Sequence, residues 1–172
     1  MRLLVPLIAC VLTGCAGHRP GPPTVPAVDL DRYLGRWYEL VRYDHGFERG
    51  LERVSADYVR RPDGRIAVVN QGWNGQRWKR ATGTATVDRP GGGDLTVTFF
   101  WPFSGAYRIV ALDPDYRWAV VTGPTDGWLW ILHRERTPPA AEREALIDRA
   151  VALGFVRERM LMVAQDGEPA PP

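Results

Sequence analysis

Few side chains in this sequence have the type and spacing that covalent chemistry needs. The three histidines, His18, His45 and His133, are scattered, and no Gly-x-Ser-x-Gly elbow presents a serine nucleophile. The two cysteines, Cys10 and Cys15, and the unclustered histidines do not make a metal-ligand set. No catalytic residue, metal or cofactor is expected. What the chain has in quantity is tryptophan, seven residues of it, and the chemistry of that side chain is binding: rigid apolar surface and a ring face that attracts cations. One acid, Glu39, sits in the apolar run WYELV (37–41), where burial would shift its titration. An interior acid of this kind reads as a hydrogen-bond partner.

The net charge of +2 is close to balance, which argues against a nucleic-acid partner. The length of 172 residues suits one sizeable core. The first residues stand apart from it. LLVPLIACVL (3–12) is apolar but interrupted by Pro6, and it falls short of the ~20 residues that span a bilayer. It fits the apolar region of a secretory signal. Leu12-Thr13-Gly14-Cys15 then resembles the lipobox of bacterial lipoproteins. That resemblance implies cleavage after Gly14, thioether lipidation of Cys15 and acylation of the new N-terminus. Several acyl chains, each contributing about 0.8 kcal/mol per buried CH₂, make a stable anchor. Ala16 stands where an aspartate would signal inner-membrane retention, so the expected address is the outer membrane, on its periplasmic face. Cys10 lies in the removed segment, which leaves the mature chain without an internal disulfide. The chain is therefore expected to divide into a signal peptide (1–14), a lipidated cysteine with a flexible Pro- and Gly-rich tether (15–28), a folded domain (29–166) and a disordered polar tail (167–172).

The elements of that domain are read from turn chemistry and from runs of β-branched and aromatic residues. Strands are expected at 37–43, 55–61, 65–73, 79–88, 94–101, 106–113, 118–123 and 128–134. Pro62-Asp63-Gly64, Gly91-Gly92-Gly93, Asp113-Pro114-Asp115 and Asp126-Gly127 supply turns between them. One helix is expected from the N-cap Thr137 and Pro138 to the stop at Gly154, with Leu146, Ile147, Ala150 and Leu153 as its apolar stripe. A short strand, MLMV (160–163), follows. The fold class is all-β: an eight-stranded up-and-down antiparallel barrel, one C-terminal α-helix packed outside, and a short final strand. Such a barrel closes without free edges and has room for one small ligand.

Gly35-Arg36-Trp37 before the first strand, Asp115-Tyr116 before the seventh and Arg134 at the end of the eighth match in order and spacing the three signature regions of lipocalins. FERGLE (47–52), FFWPFSGAY (99–107), Gly123-Pro124 and LWIL (129–132) resemble the bacterial outer-membrane members of that family. The resemblance implies a barrel shut at one end by Gly35, Trp37 and Arg134, the arginine lying over the indole. It implies a binding protein for fatty acids, lysophospholipids or similar amphiphiles, which it stores or transports in the cell envelope, and a possible homodimer. An enzyme acting on a lipid or terpenoid, and an interaction module whose cup is plugged by its own side chains, are the alternative readings.

Alternation along the strands assigns the inner face. Trp128, Trp130 and Leu132 share parity with Arg134, and Glu39, Val41 and Tyr43 with Trp37. Tyr107, Ile109 and Ala111, then Ile66, Val68 and Asn70, then Ala56 and Tyr58, then Leu95, Val97 and Phe99 complete the lining. The expected ligand-binding residues are Trp130, Tyr107, Val68, Asn70, Tyr58, Val41, Glu39, Trp128 and Phe99. The loop 44–52 is expected over the open end, with Phe47 and Leu51 at the entrance and Glu48, Arg49 and Glu52 in solvent or in ion pairs.

Overall fold

A computed structural model describes residues 20–100 and 102–167. Cys15, the 1–14 segment and residues 168–172 of the tail lie outside that range. A short helix, α1 (Leu30–Tyr33), leads into eight strands: β1 (Gly35–Tyr43), β2 (Glu52–Arg60), β3 (Ile66–Trp73), β4 (Trp78–Val87), β5 (Asp94–Phe100), β6 (Phe103–Leu112), β7 (Trp118–Thr122) and β8 (Trp130–His133). Each pairs antiparallel with the next, and β1 pairs with both β8 and β2, so the sheet closes as the eight-stranded barrel expected. Helix α2 (Ala140–Ala152) and the last strand β9 (Met160–Met162) follow.

Closure is uneven along β1. Its first half pairs with β2, Gly35 opposite Tyr58 and Tyr38 opposite Ser55. Its second half has left β2, and β9 takes the vacated edge, with Val41 opposite Met162 and Tyr43 opposite Met160. The wall is completed by Arg53 N donating to the Ala164 carbonyl at 2.7 Å. Where the two strands part, the buried Gln165 amide donates to the carbonyls of Glu39 (2.7 Å) and Val54 (2.8 Å). A gap that would strand backbone acceptors is thus stitched by one side chain.

Two apolar clusters result. The inner one joins Trp37, Tyr58, Ile66, Val68, Leu95, Val97, Ile109, Val121 and Leu132 inside the barrel. The outer one joins Leu40, Val41, Tyr43, Val110, Trp118, Val120, Leu129 and Ile131 to Leu146, Ile147 and Ala150 of α2. The helix packs outside as expected, but it starts at Ala140 after Pro139, and Thr137 is not its cap. The cause is local: a residue before proline is driven out of the α region, so Pro138 cannot open a helix that Pro139 follows.

Two bulges shift the expected facing. The β1–β8 register slips between Glu39 and Val41, and the β6–β7 register slips between Ile109 and Ala111. One extra residue reverses the parity of everything beyond it. Val41 and Tyr43 therefore face the helix and not the interior, while Arg42 turns inward. Ala111 likewise packs against the outer cluster and Leu112 against the inner one.

The floor is built around Arg134. Its guanidinium carbon lies 3.7 Å from the centre of the Trp37 ring. Its nitrogens donate to four backbone carbonyls, those of Arg36, Arg32, Tyr33 and Tyr116, at 2.8 to 3.2 Å. Trp37 Nε1 donates to Tyr33 O at 2.8 Å, which ties α1 across the bottom. Gly35 is required by its φ of +93° and not by crowding, since an added Cβ would sit 3.4 Å from the nearest arginine nitrogen. Lysine at 134 keeps the charge but loses the planar fork, leaving carbonyls under the floor unpaired. Arg134→Lys should lower the unfolding free energy by about 2–3 kcal/mol, read from urea denaturation.

Candidate functional site

The barrel interior holds a cavity of about 300 Å³ that opens at the end opposite Arg134. Its sides are apolar: Val54, Ala56, Val68, Val97, Phe99 and Leu132. Strand alternation puts them there, and the threonines that alternate with Val97 and Phe99 on β5 are only half-buried on the other face. Below, Tyr58 Oη donates to Tyr107 Oη at 3.0 Å, and Tyr107 Oη shares a 2.6 Å hydrogen bond with Tyr33 Oη. Burial is the main reason all three phenols are held above their ordinary pKa, so they stay neutral donors and acceptors. Tyr33 comes from α1, which carries no strand periodicity to announce it.

The upper part is polar and tightly wired. Arg42, swung inward by the bulge, donates from Nη1 to Glu39 Oε1 at 2.8 Å. Its Nη2 donates to the carbonyls of Glu48 (2.9 Å) and Leu51 (3.1 Å), which fastens the loop after β1 onto the barrel. Glu48 turns inward and accepts from Trp130 Nε1 at 3.0 Å. It is 6% exposed, so it is part of the lining and not the solvated loop residue its neighbours suggested. His45 is buried as well, stacked 4.4 Å from Trp128 and 5.7 Å from Phe47. Trp128 itself lies against Gly123, where a Cβ would come within 2.7 Å of the indole. The amide oxygen of Asn70 and the hydroxyl of Ser55 face this region without a protein partner.

Eight of the residues expected to contact ligand line the cavity: Trp130, Tyr107, Val68, Asn70, Tyr58, Glu39, Trp128 and Phe99. Val41 does not; the bulge puts it under α2, so that assignment is corrected. Sequence reasoning missed Glu48, Arg42, Ser55 and Tyr33. Arg42 lies in the first strand, where alternation with Val41 and Tyr43 put it outside, and Glu48 lies in the loop, where it was expected in solvent or in an ion pair. Of the histidines, His18 lies outside the described residues, and His133 lies between barrel and helix, its Nε2 3.6 Å from Glu142 Oε1. Among the described residues no group of three His, Cys, Asp or Glu side chains is placed to hold a metal ion.

Two carboxyls share one arginine in this dry region. Glu39 is held well above the ordinary glutamate value of 4.5 by burial first and by the Glu48 charge second, with Arg42 opposing. Glu48 is raised by burial, against its bond from Trp130 and the attraction of Arg42. The pair therefore retains a proton above pH 4.5. An acid whose pKa rises on folding favours the folded state in its protonated form, and that advantage is lost as pH climbs through the raised value. Thermal melts should show a Tm that falls by a few degrees from pH 5 to 8, about 2–4 °C for each kcal/mol. Glu48→Gln leaves Arg42 to Glu39 alone and should reduce that fall without abolishing it, since burial still raises Glu39.

A closed β-barrel with a sealed floor, an apolar interior and an open mouth defines a cup-shaped binding protein. Residues 28–165 match the family of lipocalin-like domains. The outer membrane lipoprotein Blc of Citrobacter freundii is 41% identical over 178 residues, covering 97% of this chain and 99% of that protein. Its namesake in Vibrio cholerae is 40% identical over 165 residues, covering 92% and 96%. Among solved structures, insecticyanin of the tobacco hornworm Manduca sexta aligns over 88% of this chain and 87% of its own with a TM-score of 0.70; at 16% identity this concerns the fold alone. The chain belongs to the lipocalin family.

Proposed function

We propose that this barrel binds single-chain amphiphiles, fatty acids or lysophospholipids, and stores or carries them in the bacterial envelope from an anchor at Cys15. The observation that carries this reading is the hollow: about 300 Å³ of apolar-walled space, closed below and open above. That volume is at the small end for ligand sites, which suits one acyl chain better than a bulky ring system. Each buried CH₂ contributes about 0.8 kcal/mol before ordering costs, so one chain supplies useful affinity without a covalent step. The unpaired acceptors on Asn70 and Ser55 and the protonated carboxyl beside them suit a ligand hydroxyl near the mouth.

The chain is a binding protein and not an enzyme, as membership of this family of ligand-holding barrels implies. Against the reading of a cup plugged by its own side chains, among the described residues only Trp128 and Trp130 of the tryptophans line the cavity, and both sit at its upper part. The lipobox and the relatives named as outer membrane lipoproteins support an address at the outer membrane.

Emission from Trp128 and Trp130 should report filling. Titration of the full-length protein with lysophospholipid or palmitate is expected to saturate near one ligand per barrel. Ala56→Phe places a ring in the hollow and should weaken binding at least tenfold, about 1.4 kcal/mol, with an unchanged urea midpoint. No response to either ligand class from a folded barrel would refute the proposal.

A further inference from the structure

The N-terminal segment crosses the outside of the barrel from one end to the other. Pro20 pairs with Thr125 in the β7–β8 connection, which is at the mouth. Val25 then exchanges backbone hydrogen bonds with Ile109 and Gly93, and Thr24 Oγ1 donates to Asp94 at 2.8 Å. Val28 N reaches the Gly91 carbonyl at 2.7 Å, beside the floor. The part of the expected tether that the structure describes is thus a strap held on the wall. Its upstream end points to the mouth, not to the floor.

That path restricts where an anchor can go. Five chain steps lead from Cys15 to Pro20, a reach of at most about 18 Å when fully extended. A nine-residue strand tilted by about 40° makes the cup roughly 23 Å deep. The arm is shorter than the cup, so an anchor at Cys15 cannot set the floor on a membrane. It can set the mouth there.

The chemistry of the mouth suits that placement. The β3–β4 hairpin reaches this end carrying exposed Arg77, Lys79 and Arg80, with Trp73 and Trp78 in an edge contact at 5.8 Å. Among the described residues none of the three cations has a carboxylate within ion-pair distance, whereas neighbouring Arg49 is paired with Asp44 at 2.8 Å. Phe47, held by stacking on His45, is 63% exposed at the rim. At the other end the exposed arginines are neutralised instead: Arg60 pairs with Asp31, and Arg61 and Arg65 pair with Asp63. Tryptophan with unpaired Lys and Arg is the composition that settles at a membrane interface and is drawn to anionic lipid.

We propose that the mouth end is a membrane-docking face: the short arm and the basic, tryptophan-bearing β3–β4 hairpin hold the opening of the cup down on an anionic phospholipid surface. The orientation rests on the anchoring of Cys15 proposed above; the charge complementarity does not. Ligand then passes between bilayer and cavity without crossing bulk water.

The test uses the full-length lipoprotein in mixed phosphatidylethanolamine–phosphatidylglycerol bilayers, with spin labels on Phe47→Cys, Gln76→Cys or Asp63→Cys. Labels at 47 and 76 should be relaxed by oxygen dissolved in the lipid and shielded from a water-soluble nickel chelate, and the label at 63 should show the reverse. Converting Arg77, Lys79 and Arg80 to Glu should return the label at 76 to water while the protein stays in the membrane fraction. A lipid-facing label at 63, or three labels equally in water, overturns the proposal. Intact mass reads the anchor separately. Should Cys15 carry no lipid, the anchoring reading fails, and docking is judged by sedimentation of the protein with phosphatidylglycerol vesicles. Binding lost on charge reversal and absent with phosphatidylcholine then sustains the docking face, and no binding refutes it.

Discussion

The hollow exists because a guanidinium closes the floor. A barrel of eight strands has just enough interior for side chains to fill it or for a ligand to occupy it, and the difference lies in where the bulky residues stop. Here Trp37 and Tyr33 are drawn down into a layer by Arg134, which covers the indole face and gathers four carbonyls from three separate segments. Arginine has no acceptor and does not lose its proton, so its demands are met only if those carbonyls converge. With the aromatic bulk committed to the bottom, the valines and alanines above it leave space. The tyrosine chain of 33, 107 and 58 is the upper surface of that layer.

Most of this architecture was legible in the residues. Turn chemistry and β-branched runs placed all eight strands and the exterior helix, and alternation put Val68, Asn70, Tyr107, Phe99 and Trp130 on the inner face. What alternation cannot show is where a ladder gains a residue. The bulges at Leu40 and Val110 leave no compositional mark, since Leu40 and Val41, like Val110 and Ala111, are apolar and acceptable on either face. The consequence was largest for Arg42, which parity with Val41 and Tyr43 put outside and which the bulge turns inward. Tyr33 was hidden for another reason: its position follows from the crossing of α1 under the barrel, a tertiary fact with no local period.

The mouth is less of a mobile cover than its glycines and charges suggest. Arg42 reaches out of the wall to hold two carbonyls of the loop, Glu48 reaches back from the loop to Trp130, and His45 wedges against Trp128. Loop and cavity are therefore one polar network, and a ligand group that disturbs Glu39 or Glu48 disturbs the loop through the arginine they share. Interior acids of this sort are usually costly, and the retained proton lowers that cost by leaving the pair with a single negative charge opposite Arg42.

The stitching by Gln165 has a consequence for when the cup becomes a container. The wall near the opening is finished by residues 160–165, which touch the first strand of the barrel. A polypeptide delivered from its N-terminus can assemble its meander in sequence, but the seam stays unsealed until residues 160–165 have emerged. Enclosure is thus tied to the arrival of that segment, and a product that stops short of it has a split side.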